Sequence, residues 1–418
     1  MNYLVILYTM DSKLSEELAW RGLAHQTTLA DTGLIDQQKF TFYWGVDPSA
    51  DSLTIGNLAI AMMVRHFIEA GHKAVLLVGG ATGLIGDPDG KAVERDLIGL
   101  DQIEANKKAI TSQYQRIFQG MDFEIVDNID WFKDINYLDF LRDVGKHVPM
   151  RQMLGREFVK NRLSEDGSGI SYAEFSYSLI QGYDFLHLNV TKGVNLQVCG
   201  ADQWGNSIAG VELVRRVAGK EAHIWSAPLV VNKATGEKFG KTEAGAIWLD
   251  EAKTTPFQFY QFWLNVDDGS VEDFLKIYTI LNQQQITELM QQFDASRGGR
   301  IAQKTLAEQI TGIVHGIDKV GAVKRASAAL FGEVNFADLE ADEVEILKNE
   351  LPVVQGDNLL EALVKSGLAS SKSEARNFVS SGAISINGQK IQSEAKDPFQ
   401  KGPNLIKRGK NSFAIIEK

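Results

Sequence analysis

Between about residues 39 and 231, short runs of β-branched and aromatic residues alternate with longer segments whose apolar residues return every three or four positions. KFTFYWG (39–45), KAVLLVGG (73–80), FEIVDN (123–128), VNLQVCG (194–200) and APLVVN (227–232) read as strands. Residues 57–70, 102–118, 136–144, 151–164, 172–188 and 204–217 read as helices. Such alternation predicts an α/β fold with a mainly parallel, doubly wound sheet, in which ligands sit at the carboxyl ends of the strands. From Thr254 to about Phe331 the strand pattern stops, and Phe274, Ile277, Ile280 and Leu281 keep helical spacing, so this region is expected to be all helical. Residues 333–356 are rich in Asp and Glu and end in PVVQGDN, the pattern of an exposed acidic linker. From Asp357 onward two helical segments, NLLEALVKSG and SKSEARNFVSSG, precede the strand-like runs AISING and NSFAIIEK, which predicts a small α+β unit.

The chain has 418 residues, 44% of them hydrophobic and 23% charged, with 8 Pro and 38 Gly, so disordered, collagen-like and coiled-coil classes fall away. Cys199 is the single cysteine, which excludes an intramolecular disulfide framework and Cys-based zinc sites and fits a reducing compartment, the cytoplasm. No run approaches the roughly 18 apolar residues of a membrane span. The opening MNYLVILYTMDSK lacks a basic region and a small-residue cleavage pattern, so a short N-terminal arm is expected there rather than a secretory signal. The net charge of −11 argues against a polyanionic partner only as an average: residues 357–418 hold ten Lys or Arg against six Asp or Glu, a net of +4, which leaves −15 on residues 1–356.

Two Gly- and Lys-rich segments invite a phosphate-loop reading and fail on spacing. GEKFGKT (236–242) and GDPDGK (86–91) both have three residues between glycines where the P-loop pattern has four. KFGKT nevertheless places two lysines and a threonine hydroxyl in a loop with glycines at 236, 240 and 245. It is either a solvated turn or a mobile cationic loop that closes over a triphosphate. In YWGVDPSADSLTIGN (43–57), Ser, Asp and Thr lead into a helix, as ordinary N-caps do, and also assemble donors at a positive helix end where anions bind. On the helix 172–188, Tyr177, Gln181 and Asp184 fall on one face at i, i+4 and i+7, amid the apolar bulk of Phe175, Leu179 and Phe185.

YWGVDPSADSLTIGN resembles the first (HIGH) signature of the class I tyrosyl-tRNA synthetases, and KFGKT resembles their second (KMSKS) signature. GGATGLIGDPDGK (79–91), SYAEFSYSLIQGYDFLHL (171–188), GADQWGN (200–206) and GEKFGKTEAGAIWLD (236–250) resemble further blocks of that family in the same order, from about residue 16 onward. The resemblance implies a tyrosine–tRNA ligase of bacterial type that uses ATP with Mg²⁺ as substrate and no protein-ligated metal. Its partners are tyrosine, ATP and tRNA(Tyr), with no membrane association. It also implies a homodimer with an interface around residues 130–165. The implied domains are a Rossmann-like catalytic domain (1–232), the KMSKS-type loop with a helical anticodon-side domain (233–332), an acidic linker (333–356) and a small basic RNA-binding domain (357–418).

Residue by residue, the resemblance implies that Tyr43 and Asp184 meet the substrate phenol, and that Asp87, Tyr177 and Gln181 hold its ammonium group. Gln203 would contact the tyrosine carbonyl, Asp47 and Gly56 would flank the ATP, and Asp202 would bond the ribose of the adenylate. Lys238, Lys241, Thr242, Ser49, Thr54 and Asn57 would act at the phosphates, and Lys91 and Arg95 would be late contacts for pyrophosphate or the tRNA terminus. The tyrosine carboxylate is ionised at neutral pH, so the attack on the α-phosphorus needs no general base. That accords with the lack of a Ser/His/Asp or Cys/His constellation among seven histidines.

One departure stands out: the family usually has histidine at both ends of the HIGH tetrapeptide, and Thr54 and Asn57 stand there instead. Two outcomes are open, an active enzyme with compensating contacts or a weak or inactive homologue acting as an RNA-binding or regulatory protein. The intact KFGKT, GADQWGN and tyrosine-side residues favour activity. The tail LLEALVKSGLASSKSEARNFVSSGAISINGQKI resembles a small ribosomal-protein-type RNA-binding fold, in which Lys372 and Arg376 face RNA and Asn387-Gly388 turns a hairpin. Pseudouridine synthases carry such a module with a different catalytic domain, and the Tyr43/Asp184 pair argues against a tryptophanyl-tRNA synthetase.

Overall fold

The computed structural model describes residues 12–88, 98–164, 166–231, 236, 239–242, 245–393 and 398–418. It has a mainly parallel α/β sheet, helices, and a C-terminal α+β sheet, as the hydrophobic pattern predicts. The first sheet contains β1 (Gln26–Thr27), β2 (Thr41–Val46), β3 (Lys73–Val78), β4 (Phe123–Asp127), β5 (Leu196–Gly200) and β6 (His223–Ala227), ordered β1-β6-β5-β2-β3-β4. Only β1 runs antiparallel, against β6. The sequence order reverses direction between β2 and β5, so a crevice opens at their carboxyl ends. Phe42, Phe67, Leu76 and Val198 have no exposed surface and anchor the sheet to its helices. Burying each such side chain contributes about 1.5–3 kcal/mol.

The strand expected at 227–232 lies instead at His223–Ala227. Pro228 has no N–H to continue the ladder, and Leu229 and Val231 are exposed. The helix expected over 151–164 is two short ones, Met150–Leu154 and Glu157–Arg162, separated at Gly155.

Helices fill the segment from Thr254 to Phe331, as expected: Pro256–Leu264, Val271–Tyr278, Gln283–Ala295, Ile301–His315 and Ile317–Phe331. Compactness, however, divides the chain differently from the sequence pattern. Residues 1–253 and 267–302 form one unit, and 254–266 with 303–418 form the other. In the first unit the antiparallel pair β7 (Lys241–Thr242) and β8 (Gly245–Ala246) follows the large sheet.

In the second unit the acidic stretch 333–356 is not the exposed linker its composition suggests. It contains the helix Ala341–Glu350 and the strand β9 (Val353–Gln355), and Phe336, Glu343 and Leu347 are buried. Its acidic residues act as caps and partners. Glu343 accepts from Arg325 Nε at 2.6 Å and from the backbone N–H of Glu340 at 2.9 Å, while Glu350 accepts from Gln258 Nε2 at 2.8 Å. β9 then joins β10 (Ile384–Ile386), β11 (Gln389–Ile391), β12 (Pro403–Arg408) and β13 (Ser412–Glu417) in the order β11-β10-β12-β13-β9, so a boundary at 357 would cut through this sheet. Leu363, Ile384, Ile406 and Ile416 form its core. Asn387 and Gly388 both adopt positive φ, which closes the β10–β11 hairpin as their sequence predicts.

Candidate active site

A cavity of about 550 Å³ opens at the β2/β5 crevice. Twelve of the residues singled out from the sequence line it: Tyr43, Asp47, Ser49, Thr54, Gly56, Asn57, Asp87, Tyr177, Gln181, Asp184, Asp202 and Gln203. They come from the end of β2, the start of the helix Ile55–Glu69, the turn after β3, the helix Tyr172–Lys192 and the turn after β5. Lys91, Arg95 and Lys238, together with the N-terminal arm, lie outside the described residues, as do the side chains of Lys241 and Thr242.

One end of the cavity is built around a buried carboxyl. Asp184 is 1% exposed and accepts hydrogen bonds from Trp131 Nε1 at 2.9 Å and Asn128 Nδ2 at 3.1 Å. Burial pushes its pKa well above the usual carboxylate range against the pull of those two donors. Tyr43 is buried beside it on β2, its ring edge-on to Phe185 with centroids 5.1 Å apart. Burial, then the charge of Asp184, raises its phenol pKa. Among the described residues its hydroxyl has no hydrogen-bond partner, nor does the buried Oε1 of Gln181. The helix rises about 1.5 Å per residue, so Tyr177, Gln181 and Asp184 form a polar row about 10 Å long.

Further along, Tyr177 donates its hydroxyl to Asp47 Oδ2 at 2.6 Å, and Thr82 Oγ1 donates to Asp47 Oδ1 at 2.6 Å. Asp87 accepts from Gln203 Nε2 at 2.7 Å and from Asn206 Nδ2 at 3.3 Å. Gln203, which the family resemblance places at the substrate carbonyl, first fixes Asp87 with its amide. Sequence reasoning also passed over Asn128, Trp131, Thr82 and Asn206. Asn128 and Trp131 could have been found, because they follow directly on β4, at a carboxyl strand end where ligands gather. Trp44, which also lines the cavity, packs its ring against Tyr114 and Phe118 with centroids 5.2 and 6.4 Å away.

At the other end, Thr54 caps the helix Ile55–Glu69. Asn57 Oδ1 accepts both from the Thr54 backbone N–H at 3.0 Å and from Thr54 Oγ1 at 2.9 Å. The ordinary capping role is therefore realised. With its oxygen occupied, the Asn57 amide presents its N–H₂ donors at the positive helix end. The segment beyond the Lys-rich loop secures this start: Ile55 N–H donates to Ile247 O at 3.2 Å and Leu249 N–H to Leu53 O at 2.9 Å. Gly240 closes the contact. Its φ is +89°, and a Cβ there would lie 2.5 Å from Ile55 Cγ1, so the backbone approach needs glycine.

The family model described as tRNA synthetases class I (W and Y) matches residues 36–332. The chain belongs to this class I tRNA synthetase family. The model of the tyrosine–tRNA ligase SYY-like C-terminal domain matches residues 341–416. The tyrosine–tRNA ligase of Neisseria meningitidis serogroup C (serotype 2a) is 46% identical over 96% of this chain and 98% of its own length. That of Geobacillus stearothermophilus is 43% identical over 96% of this chain and 99% of its own. A C-terminally truncated mitochondrial tyrosyl-tRNA synthetase of Aspergillus nidulans superposes with a TM-score of 0.69 at 29% identity, covering 77% of this chain and 94% of that one.

Lys372 and Arg376 do not line the cavity. They stand exposed on the helix Lys372–Ser380 of the C-terminal unit, where Lys372 pairs with Glu361 at 2.9 Å. Two other basic residues of this unit serve the fold: Lys407 donates to Leu330 O at 3.1 Å and Arg408 to Leu368 O at 2.7 Å. Among the described residues no helix is long and apolar enough to cross a membrane, and no three His, Cys, Asp or Glu side chains converge as a metal site.

Proposed function

We propose a division of labour within the cavity for the activity that family membership and near full-length relatives establish, tyrosine–tRNA ligation driven by ATP. The single observation that carries it is the row Tyr177–Gln181–Asp184 facing Tyr43, which holds two buried polar atoms that lack partners among the described residues, in a cavity of the size small ligands take. The substrate phenol lies between Tyr43 and Asp184. Its ammonium group meets Gln181 Oε1, the Tyr177 hydroxyl oxygen and Asp87, where a carboxylate facing a cation makes a charge-assisted bond.

The tyrosine carboxylate then attacks the α-phosphorus of ATP, forming a P–O bond and expelling pyrophosphate with its Mg²⁺. No proton is moved, so the protein's task is to position the reactants and to stabilise phosphate charge. Asn57, Ser49, Lys238, Lys241 and Thr242 supply donors and positive charge on the phosphate side, Thr54 acting through the hydroxyl it donates to Asn57, with Lys91 and Arg95 serving departing pyrophosphate or the incoming tRNA end. Asp47 and Gly56 flank the nucleotide, Asp202 holds the ribose, and Gln203 aligns the carbonyl through Asp87. A hydroxyl of the terminal ribose of tRNA(Tyr) finally attacks the tyrosyl carbonyl of the adenylate, forming the ester and releasing AMP and the hydroxyl proton. Tyrosine-dependent ATP–pyrophosphate exchange tests this assignment: Lys241→Ala and Asp184→Asn should each depress it, and normal exchange in both would overturn it.

The same reading makes the C-terminal unit the tRNA-binding module, active in the cytoplasm where tRNA and ATP are found. Charge reversal at both Lys372 and Arg376 should weaken tRNA binding and lower the salt slope by about 2, with adenylate formation intact. A homodimer completes it. Tyr137, Leu138, Met150, Leu154, Leu163 and Tyr172 are exposed apolar side chains concentrated in and beside residues 130–165, the kind of surface a second copy covers. Light scattering of the full chain, with Leu138→Glu beside it, checks this: a dimer that the substitution dissociates is expected.

A further inference from the structure

We propose that Phe274, which lies outside every motif of the active site, is the positioning residue that sets the Lys-rich loop over the phosphates. This rests on the reading of that loop as the phosphate-side element. Phe239 sits inside KFGKT between Lys238 and Lys241, lines the cavity, and stacks face to face on Phe274 with ring centroids 4.2 Å apart and planes 29° from parallel. Tyr278 closes the cluster from one side, 6.4 Å from Phe239 and 6.2 Å from Phe274. A hydrophobic ring between two lysines has no reason to face inward in a solvated turn. Here it has a fixed seat.

The seat is rigid. Phe274 and Tyr278 are buried on the helix Val271–Tyr278, which packs within the catalytic unit. The carbonyls at and beyond the helix end are held by one guanidinium: Arg21, with no exposed side-chain surface, donates to Lys276 O at 2.7 Å, Thr279 O at 3.0 Å and Leu281 O at 2.7 Å, and pairs with Glu17 at 2.7 Å. Such groups at a helix end otherwise need water or a cap. Residues 239 and 240 are therefore gripped from two sides, Phe239 by the ring of Phe274 and Gly240 by Ile55 at the start of the phosphate-side helix. The two lysines flank the gripped pair in sequence, so the stack determines where their ammonium groups reach. Aromatic stacking suits this task because ring pairs have preferred offsets and tilts that an aliphatic contact lacks.

The test uses the full chain carrying Phe274→Ala, Phe274→Leu or Phe274→Tyr, with single-turnover tyrosyl-adenylate formation and tyrosine Kd as readouts. The Ala and Leu variants are expected to slow adenylate formation on the order of tenfold, the ratio one aromatic pair can sustain. Tyrosine Kd should stay within about twofold, since the loss falls on the phosphate side. Phe274→Tyr, which keeps the ring, should restore the rate. Phe239→Leu combined with Phe274→Leu should be no slower than the slower single variant, because both remove one contact. A Phe274→Leu variant as fast as the parent, a tyrosine Kd that weakens by the same factor as the rate, or effects that multiply in the double variant would each overturn the proposal. Lys241→Ala in the same assay separates the two readings. If it fails to slow adenylate formation, the loop itself is misassigned and the inference falls with it; if only the Phe274 variants are silent, the positioning role alone fails.

Discussion

The two ends of the cavity solve different physical problems with different materials. The end proposed for tyrosine is made of side chains on a strand and a long helix, Tyr43 and Asp184, with Asn128 and Trp131 behind them. It keeps a carboxyl away from water, at the cost of a raised pKa, and recovers selectivity from the polar groups it leaves for a ligand. The end proposed for the phosphates is made of a helix start and a loop, Thr54, Asn57 and the segment around Gly240, a place where backbone donors and amide groups can meet anions. The difference teaches that recognition of an uncharged phenol requires a dry, fixed pocket, whereas a polyphosphate needs positive charge that can be brought to it.

The sharpest way to break this contrast is at the phenol. Asp184→Asn or Tyr43→Phe should lower the preference for tyrosine over phenylalanine by two or more orders of magnitude out of the roughly 10⁴–10⁵ by which a site built to bond a substrate hydroxyl rejects the analogue lacking it. Competitive pyrophosphate exchange with both amino acids measures it, and an unchanged ratio would remove the phenol from this end. The next effect lies across the cavity. Lys241→Ala should reduce adenylate formation by about 10²–10³ with little change in tyrosine Kd, the loss expected when one transition-state donor goes.

Smaller and more diagnostic is Trp131→Phe. It deletes one of two donors to a buried carboxylate, and tyrosine binding should weaken by about 1.5–3 kcal/mol. Its pH dependence gives the sign. Asp184 has a folded pKa above its unfolded one, so the stability it contributes is present in acid and is lost as pH rises through the folded value. In the proposed assignment the ionised carboxylate accepts the substrate phenol, so tyrosine affinity should strengthen over that same rise. Without the Trp131 donor the carboxyl pKa climbs further and the transition should move to higher pH; titration of tyrosine affinity checks the direction.

The smallest effect is expected at Thr54→Ala, which removes the hydroxyl bond to Asn57 Oδ1 but leaves the backbone bond to the same oxygen, costing about 0.5–1.5 kcal/mol in the rate of adenylate formation. A far larger loss would mean that Thr54 itself reaches the phosphates.

Much of the fold was legible because periodicity is local. β2, β3, β4 and β5 lie where their apolar runs stand, and so does the polar face of the helix Tyr172–Lys192. The errors came where local pattern met a tertiary demand. APLVVN has strand composition, but Pro228 sits at the edge of the cavity and the ladder had to end before it. The acidic residues at 333–356 look like solvated linker until Arg325 and Gln258 are brought to Glu343 and Glu350 by packing. Within the site, the motif residues were readable from their blocks, whereas Asn128 and Trp131 were readable only as residues at a carboxyl strand end, and their bonds to a carboxylate more than fifty residues away in the chain were not.

The sequence by itself determined the parallel sheet, the helical stretch and the basic tail, because each follows from residue type and short-range spacing, while the side chains proposed to hold tyrosine and a nucleotide came from the resemblance of whole blocks to a known family. Tertiary structure alone decided which of these groups are buried, which are already paired and which remain open to a ligand. Burial and hydrogen-bond partnership arise from segments distant in the chain, and no window short enough to show helix or strand periodicity contains both Phe239 and the helix it rests on.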